Sequence, residues 1–141
     1  MPDLNHQITI AAPPDKVYAA MATQAGMRAW WTADTTMQEK IGGNVEFGFG
    51  KRATVFRMTV EALEPGKRVV LSCHGDPAEW NGTKLTWTMT PQDASTVLRF
   101  THADWKAMTD MCALCNSSWG ALTYRLKDYV EGKNPGPQRR E

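Results

Sequence analysis

Apolar and polar residues alternate through most of this chain, and the alternation gives way to a three-and-four spacing only towards its end. Ile8 and Ile10 alternate with Thr9 and Ala11, a period of two that predicts a first strand over about residues 5–12. Pro13-Pro14 ends it, and Val17, Tyr18 and Met21 follow at helical spacing, so a short helix begins near Pro14. Thr23 and Gly26 break that helix, and Met27, Trp30 and Trp31 make a second short one. Residues 35–39 read as an edge strand. Gly42-Gly43 then turns the chain into Val45, Phe47 and Phe49, which alternate with polar or small residues as a half-buried strand does. Residues 54–63 alternate again, with Phe56, Met58 and Val60 on one face, and Glu64-Pro65-Gly66-Lys67 is a turn. Val69, Leu71 and Cys73 mark the next strand, and a loop bracketed by Asp76-Pro77 and Asn81-Gly82 carries Trp80. Leu85, Trp87 and Met89 alternate with threonines, and Leu98, Phe100 and His102 share a face of the last strand.

From Cys112 to Gly132 the period changes. Cys112, Cys115, Trp119, Leu122, Leu126 and Tyr129 fall on one stripe of an α-helix, while Ser117, Arg125 and Asp128 fall opposite and are expected in water. Asn116 is a candidate N-cap, and Gly132 suits the left-handed residue after the helix, with Pro135 blocking continuation. A lone amphipathic helix needs a partner for its stripe, and here the partner must be a sheet. Strands joined by short turns pair as a meander, and a long twisted sheet curls around its cover. The expected fold is therefore α+β: a curved antiparallel sheet around a long C-terminal helix, with two short helices after the first strand. One domain is expected over residues 1–133, with a disordered tail at 134–141 rich in Pro and Gly.

The chain has 141 residues and a net charge of +1 without long runs of either sign, so neither a nucleic-acid backbone nor an acidic membrane surface is an expected partner. No apolar stretch is long enough to span a membrane, and the first residues are not a signal peptide. Three cysteines, an odd number, fit a reducing cytoplasm. Six Trp and eight Met are the unusual feature, since such large adaptable groups suit both a packed core and the border of a hollow.

The order of these features resembles the START-like, or SRPBCC, superfamily with its helix-grip fold. Within it, the chain is most similar to the branch of homologues of the activator of the ninety-kilodalton heat-shock protein's ATPase. The resemblance is carried by Ile8-Thr9-Ile10 with Pro13 and Val17, by Trp30-Trp31, and by Gly42-Gly43 before Val45-Glu46-Phe47. It continues through residues 60–65 with Arg68-Val69, Thr96-Val97-Leu98 with His102, and Trp119 with Leu122 and Leu126. It covers roughly residues 7–131. Ser118-Trp119-Gly120 departs from it, because many relatives place a glycine before the tryptophan. The resemblance implies a fold whose members include carriers, cyclases, hydroxylase components and cochaperones, so function must be argued from the site.

His102 is the most suggestive ionisable group: it faces the helix, where a neutral imidazole can shuttle a proton, fix a ligand's polar end, or serve structure alone. Cys112-x-x-Cys115 is a single pair where a structural zinc site needs four ligands, and it lies on the helix stripe, so both are read as small buried groups. Ser117 and Ser118 have no local base and no nucleophile elbow. No cofactor or metal is expected. The reading is a cytoplasmic domain, monomeric or homodimeric, that encloses a small or medium hydrophobic molecule between sheet and helix. The candidate lining is Trp30, then Phe47, Phe56 and Met58, then Trp87 and Met89, then Phe100 and His102, and from the helix Cys115 and Trp119. Two alternatives stand beside it: a protein-binding module that modulates a chaperone, which the resemblance implies, and an enzyme of the cyclase or dehydratase kind.

Overall fold

The computed structural model describes residues 2–138. In chain order the elements are β1 (Leu4–Ile10), α1 (Pro14–Ala22), α2 (Gln24–Trp30), β2 (Thr35–Met37), β3 (Asn44–Phe49), β4 (Thr54–Glu64), β5 (Arg68–His74), β6 (Lys84–Gln92), β7 (Ser95–Ala103) and α3 (Asp110–Val130). A 3₁₀ turn at Ala78–Trp80 lies between β5 and β6. All strands join one antiparallel sheet in the order β1-β7-β6-β5-β4-β3-β2. Strands β2 to β7 form the meander that short turns dictate. The first strand instead pairs with the last, Ile8 opposite Leu98 and Leu4 opposite His102, because α1 and α2 carry the chain to the far edge before β2 begins. The pairing of β4 with β5 shifts register between Val60 and Ala62, and such an irregularity adds local bend and twist.

The two short helices are folded tightly together. Thr23 ends α1 and caps α2: its hydroxyl donates to Ala19 O at 2.7 Å and accepts from Gly26 N at 3.0 Å. Gly26 sits against α1 so closely that a Cβ there would lie 2.5 Å from Ala19 O and 2.6 Å from Ala20 O. The Trp30 indole completes the corner by donating to Ala20 O at 2.9 Å.

The long helix starts two residues before the expected Cys112, and its cap is Thr109 rather than Asn116. Thr109 Oγ1 accepts from Cys112 N at 3.2 Å, whereas Asn116 lies inside the helix and meets His6 Nε2 at 3.0 Å. At the other end, Gly132 takes a φ of 85°, and Lys133 N donates to Asp128 O while Gly132 N donates to Tyr129 O. These two bonds are the pair that a left-handed glycine after a helix makes available. Glu131 binds the end of β1, accepting from Ala11 N at 2.7 Å and from Lys127 Nζ at 2.6 Å, and the same ammonium donates to Thr9 O. The helix therefore lies along β1 and against α1 and α2, rather than over the β3–β4 side of the sheet.

Arg125 is not the free surface group its position suggests. It is half-buried, and its Nη2 donates to the carbonyls of Pro135, Gly136 and Pro137 at 3.0, 2.7 and 3.1 Å. Gln138 N then donates to Trp30 O. Residues 134–138, where sequence composition suggests a disordered tail, are thus held as an irregular segment against α3 and α2. Residues 139–141 of that expected tail lie outside the described residues.

Candidate functional site

A cavity of about 430 Å³ opens between the first half of α3, the ends of β3 and β4, and the turn that carries Trp80. Its position follows from the fold: α3 leans towards β1, so the β3–β4 side of the helix stripe is left without a full cover. Phe49, Thr54 and Phe56 come from the hairpin, and Pro77 and Trp80 from the turn. The helix adds Met111, Leu114, Cys115, Ser118, Trp119 and Leu122. Trp31 at the end of α2 and Gln138 of the tail complete the wall.

The candidate lining is only partly brought together here. Phe56, Cys115 and Trp119 line the cavity. Trp30, Phe47, Met58, Trp87 and Met89 do not; they are buried in the packed core, as are Phe100 and His102. The physical reason is that α1 and α2 already fill the space over the middle of the sheet, with Val17, Met21 and Met27 fully buried against it. Ten of the thirteen described wall residues lie outside the candidate lining, among them the large apolar Trp31, Phe49, Trp80, Met111, Leu114 and Leu122. Phe49 continues the alternation of Val45 and Phe47, and Trp31 adjoins Trp30, so both carried a readable signal. Trp80 sits on a turn with no period to reveal its direction.

All six tryptophans belong to one aromatic cluster around Trp119. Trp119 is 2% exposed, and its ring centroid lies 4.3 Å from that of Phe100 and 5.1 Å from that of Trp31. Its indole N–H donates to His102 Nδ1 at 3.0 Å. Because an indole can only donate, Nδ1 is unprotonated and Nε2 carries the ring proton. Nε2 therefore donates to Thr83 Oγ1 at 2.9 Å, and that hydroxyl donates to Trp80 O at 2.6 Å. Burial lowers the His102 pKa from 6.5 to about 3, which holds the imidazole neutral. Both ring nitrogens are thus spent on packing the helix, the sheet and the Trp80 turn together. The imidazole has neither access to the cavity nor a free nitrogen for a ligand.

The thiols are equally quiet. Cys73, Cys112 and Cys115 are unbridged. Burial pushes Cys73 up to about 12, and burial likewise raises Cys112 and Cys115, with the negative charge of Glu79 adding to both. Thiols held protonated are poor nucleophiles and poor metal ligands. Among the described residues, no group of three or more His, Cys, Asp or Glu is placed to hold a metal ion, and no helix is long and apolar enough to cross a membrane. What the site offers chemically is an apolar, aromatic recess with Thr54, Ser118 and Gln138 as its polar points.

Comparison with known proteins agrees with the architecture. The solution structure of the Aha1 dimer from Colwellia psychrerythraea is 34% identical, with a TM-score of 0.84 over 94% of this chain and 98% of that one. Protein MLL2253 from Mesorhizobium loti is 16% identical with a TM-score of 0.81, covering 92% of this chain and 97% of that chain. CalU16 from Micromonospora echinospora is 17% identical with a TM-score of 0.77, covering 96% and 78%. These last two share the fold. No curated protein matches the chain. The profile of the family described as Activator of Hsp90 ATPase homolog 1-like protein matches residues 11–131, and the chain, a helix-grip domain of the START-like superfamily, belongs to that family.

Proposed function

We propose that this domain binds a small hydrophobic molecule in the recess between the β3–β4 hairpin, the Trp80 turn and the first half of α3. The observation that carries the reading is the cavity itself. Its volume, about 430 Å³, lies within the range of small-molecule sites, roughly 300–1,000 Å³, and its wall is predominantly aromatic and aliphatic. Burying apolar ligand surface there contributes roughly 25 cal/mol per Å² removed from water. Cys115 is the one titratable side chain among the described lining residues, and it is a protonated thiol, which supports binding over acid–base catalysis. The three unbridged cysteines support a cytoplasmic setting. Organic extraction of the purified protein followed by mass spectrometry tests the reading: a copurified apolar compound, absent from a Ser118→Trp variant that fills the mouth, is the expected result. Equal recovery from both proteins would place any such compound elsewhere.

A second reading is that the domain docks on a chaperone, alone or as a homodimer like the Colwellia protein. The family description favours it, as do Met108 and Leu114, which are 62% and 65% exposed at the N-terminal end of α3, with Leu114 on the cavity rim. Pull-down of purified chaperone by the wild type and not by Leu114→Glu would support it over the first.

A further inference from the structure

We propose that the ligand of this pocket is an uncharged, flat aromatic molecule carrying a hydroxyl or carbonyl group; this rests on the ligand-binding reading above and narrows it. The wall supplies the first argument. Trp31, Phe49, Phe56, Trp80 and Trp119 touch in a closed circuit, with successive ring centroids between 4.5 and 6.3 Å apart. Three of the contacts are tilted, Trp80–Trp119 is stacked, and Trp31–Trp119 is edge-on, an arrangement that aromatic quadrupoles favour. One more ring entering from the open side extends the circuit with contacts of the same kind. A flexible alkyl chain of equal area would lose rotamer freedom on entering and gain none of that directional attraction.

Charge supplies the second argument. Among the described lining residues there is no Asp, Glu, Lys, Arg or His. The guanidinium of Arg125, on the same helix, is engaged by the tail carbonyls. A carboxylate or an ammonium would leave water with no counter-charge in the wall, a large cost in an apolar recess. The polar points that exist are neutral: hydroxyls of Thr54 on β4 and Ser118 on α3, and the amide of Gln138 on the tail. They come from three separate segments around the aromatic wall, so they suit a polar substituent on a ring whose body lies against the partly exposed Phe49 and Phe56. A hydroxyl or carbonyl can exchange hydrogen bonds with such groups, and leaving it unpaired would itself be costly.

Calorimetric titration of the full chain at neutral pH with naphthalene, naphthol, naphthoate, naphthyltrimethylammonium and decanol tests this directly. Naphthol is expected to bind at least about tenfold more tightly than the carboxylate, the ammonium or the alkanol, because only it matches both the wall and the neutral polar points. Combining Thr54→Val with Ser118→Ala should weaken naphthol and leave naphthalene unchanged. Naphthoate, the ammonium or decanol binding as tightly as naphthol, and being blocked by Ser118→Trp, would overturn the ligand class while leaving the pocket reading intact. Absence of binding by every probe would overturn both.

Discussion

Trp119 on α3 and His102 on β7 are joined by a single hydrogen bond, indole Nε1 to imidazole Nδ1 at 3.0 Å, that fixes the histidine as a neutral, Nε2-protonated ring. Burial of this ring makes stability depend on pH with a definite sign. Burial lowers the pKa of His102 from 6.5 to about 3 in the folded protein. Above 6.5 the ring is neutral whether the chain is folded or not, and its folded contacts are fully available. As pH falls from 6.5 towards 3 the unfolded chain takes up a proton that the folded one refuses, so stability is lost at about 1.4 kcal/mol per pH unit. Urea midpoints measured between pH 7 and pH 4 should fall more steeply for the wild type than for His102→Gln. Equal slopes would mean that His102 is not the buried neutral group described here.

The same pair separates packing from hydrogen bonding. Trp119→Ala empties the centre of the aromatic cluster and should cost roughly 3–5 kcal/mol. Trp119→Phe keeps much of the ring contact but leaves His102 Nδ1 without its donor, a buried unpaired acceptor worth about 1–3 kcal/mol. Chemical denaturation of the two variants should therefore give clearly different midpoints, with Phe intermediate. A Phe variant as stable as the wild type would show that the hydrogen bond contributes nothing.

Arg125→Met keeps the apolar stem and removes the three carbonyl contacts that hold residues 135–137. The expected cost is roughly 1–2 kcal/mol, more than the half a kilocalorie usual for a surface site. Carboxypeptidase should trim the tail of the variant back towards Lys133 faster than that of the wild type. Equal trimming rates would show that Arg125 does not hold the segment.

Gly26→Ala tests the corner between α1 and α2. The added Cβ meets backbone atoms of Ala19 and Ala20 within 2.5–2.7 Å, and a backbone contact cannot be relieved by a rotamer change. Destabilisation of about 2 kcal/mol or more is expected, although alanine is ordinarily the better helix former. An unchanged or raised midpoint would contradict the close approach.

Period-two alternation made the strands legible, and the three-and-four stripe made α3 legible, because each pattern records which side of an element faces the core. Two local features escaped. Thr109 and Asn116 are both capping residue types, and only the partner decides: Thr109 meets Cys112 N, while Asn116 is taken by His6. Arg125 lies opposite the stripe, but the tail returns to cover it, a long-range event that periodicity does not encode. The recess lies away from the candidate lining read in the sequence, sharing with it Phe56, Cys115 and Trp119. Inward-facing Trp87, Met89 and Phe100 indicate a surface to be covered, yet whether it is covered by protein or left open depends on the depth to which α1 and α2 enter. They fill the centre, and the opening moves to Phe49, Phe56 and Trp80.

The most direct test of this account is a fluorescence titration of the wild type, Ser118→Trp and Met89→Trp with an apolar dye. Ser118 lines the cavity and Met89 lies in the packed core. The account predicts dye binding by the wild type and its loss in Ser118→Trp with the fold intact. It predicts retained binding in Met89→Trp alongside a stability loss of about 1–3 kcal/mol from overpacking. Loss of dye from Met89→Trp with no loss of stability, and undiminished binding in Ser118→Trp, would contradict it and return the hollow to the centre of the sheet.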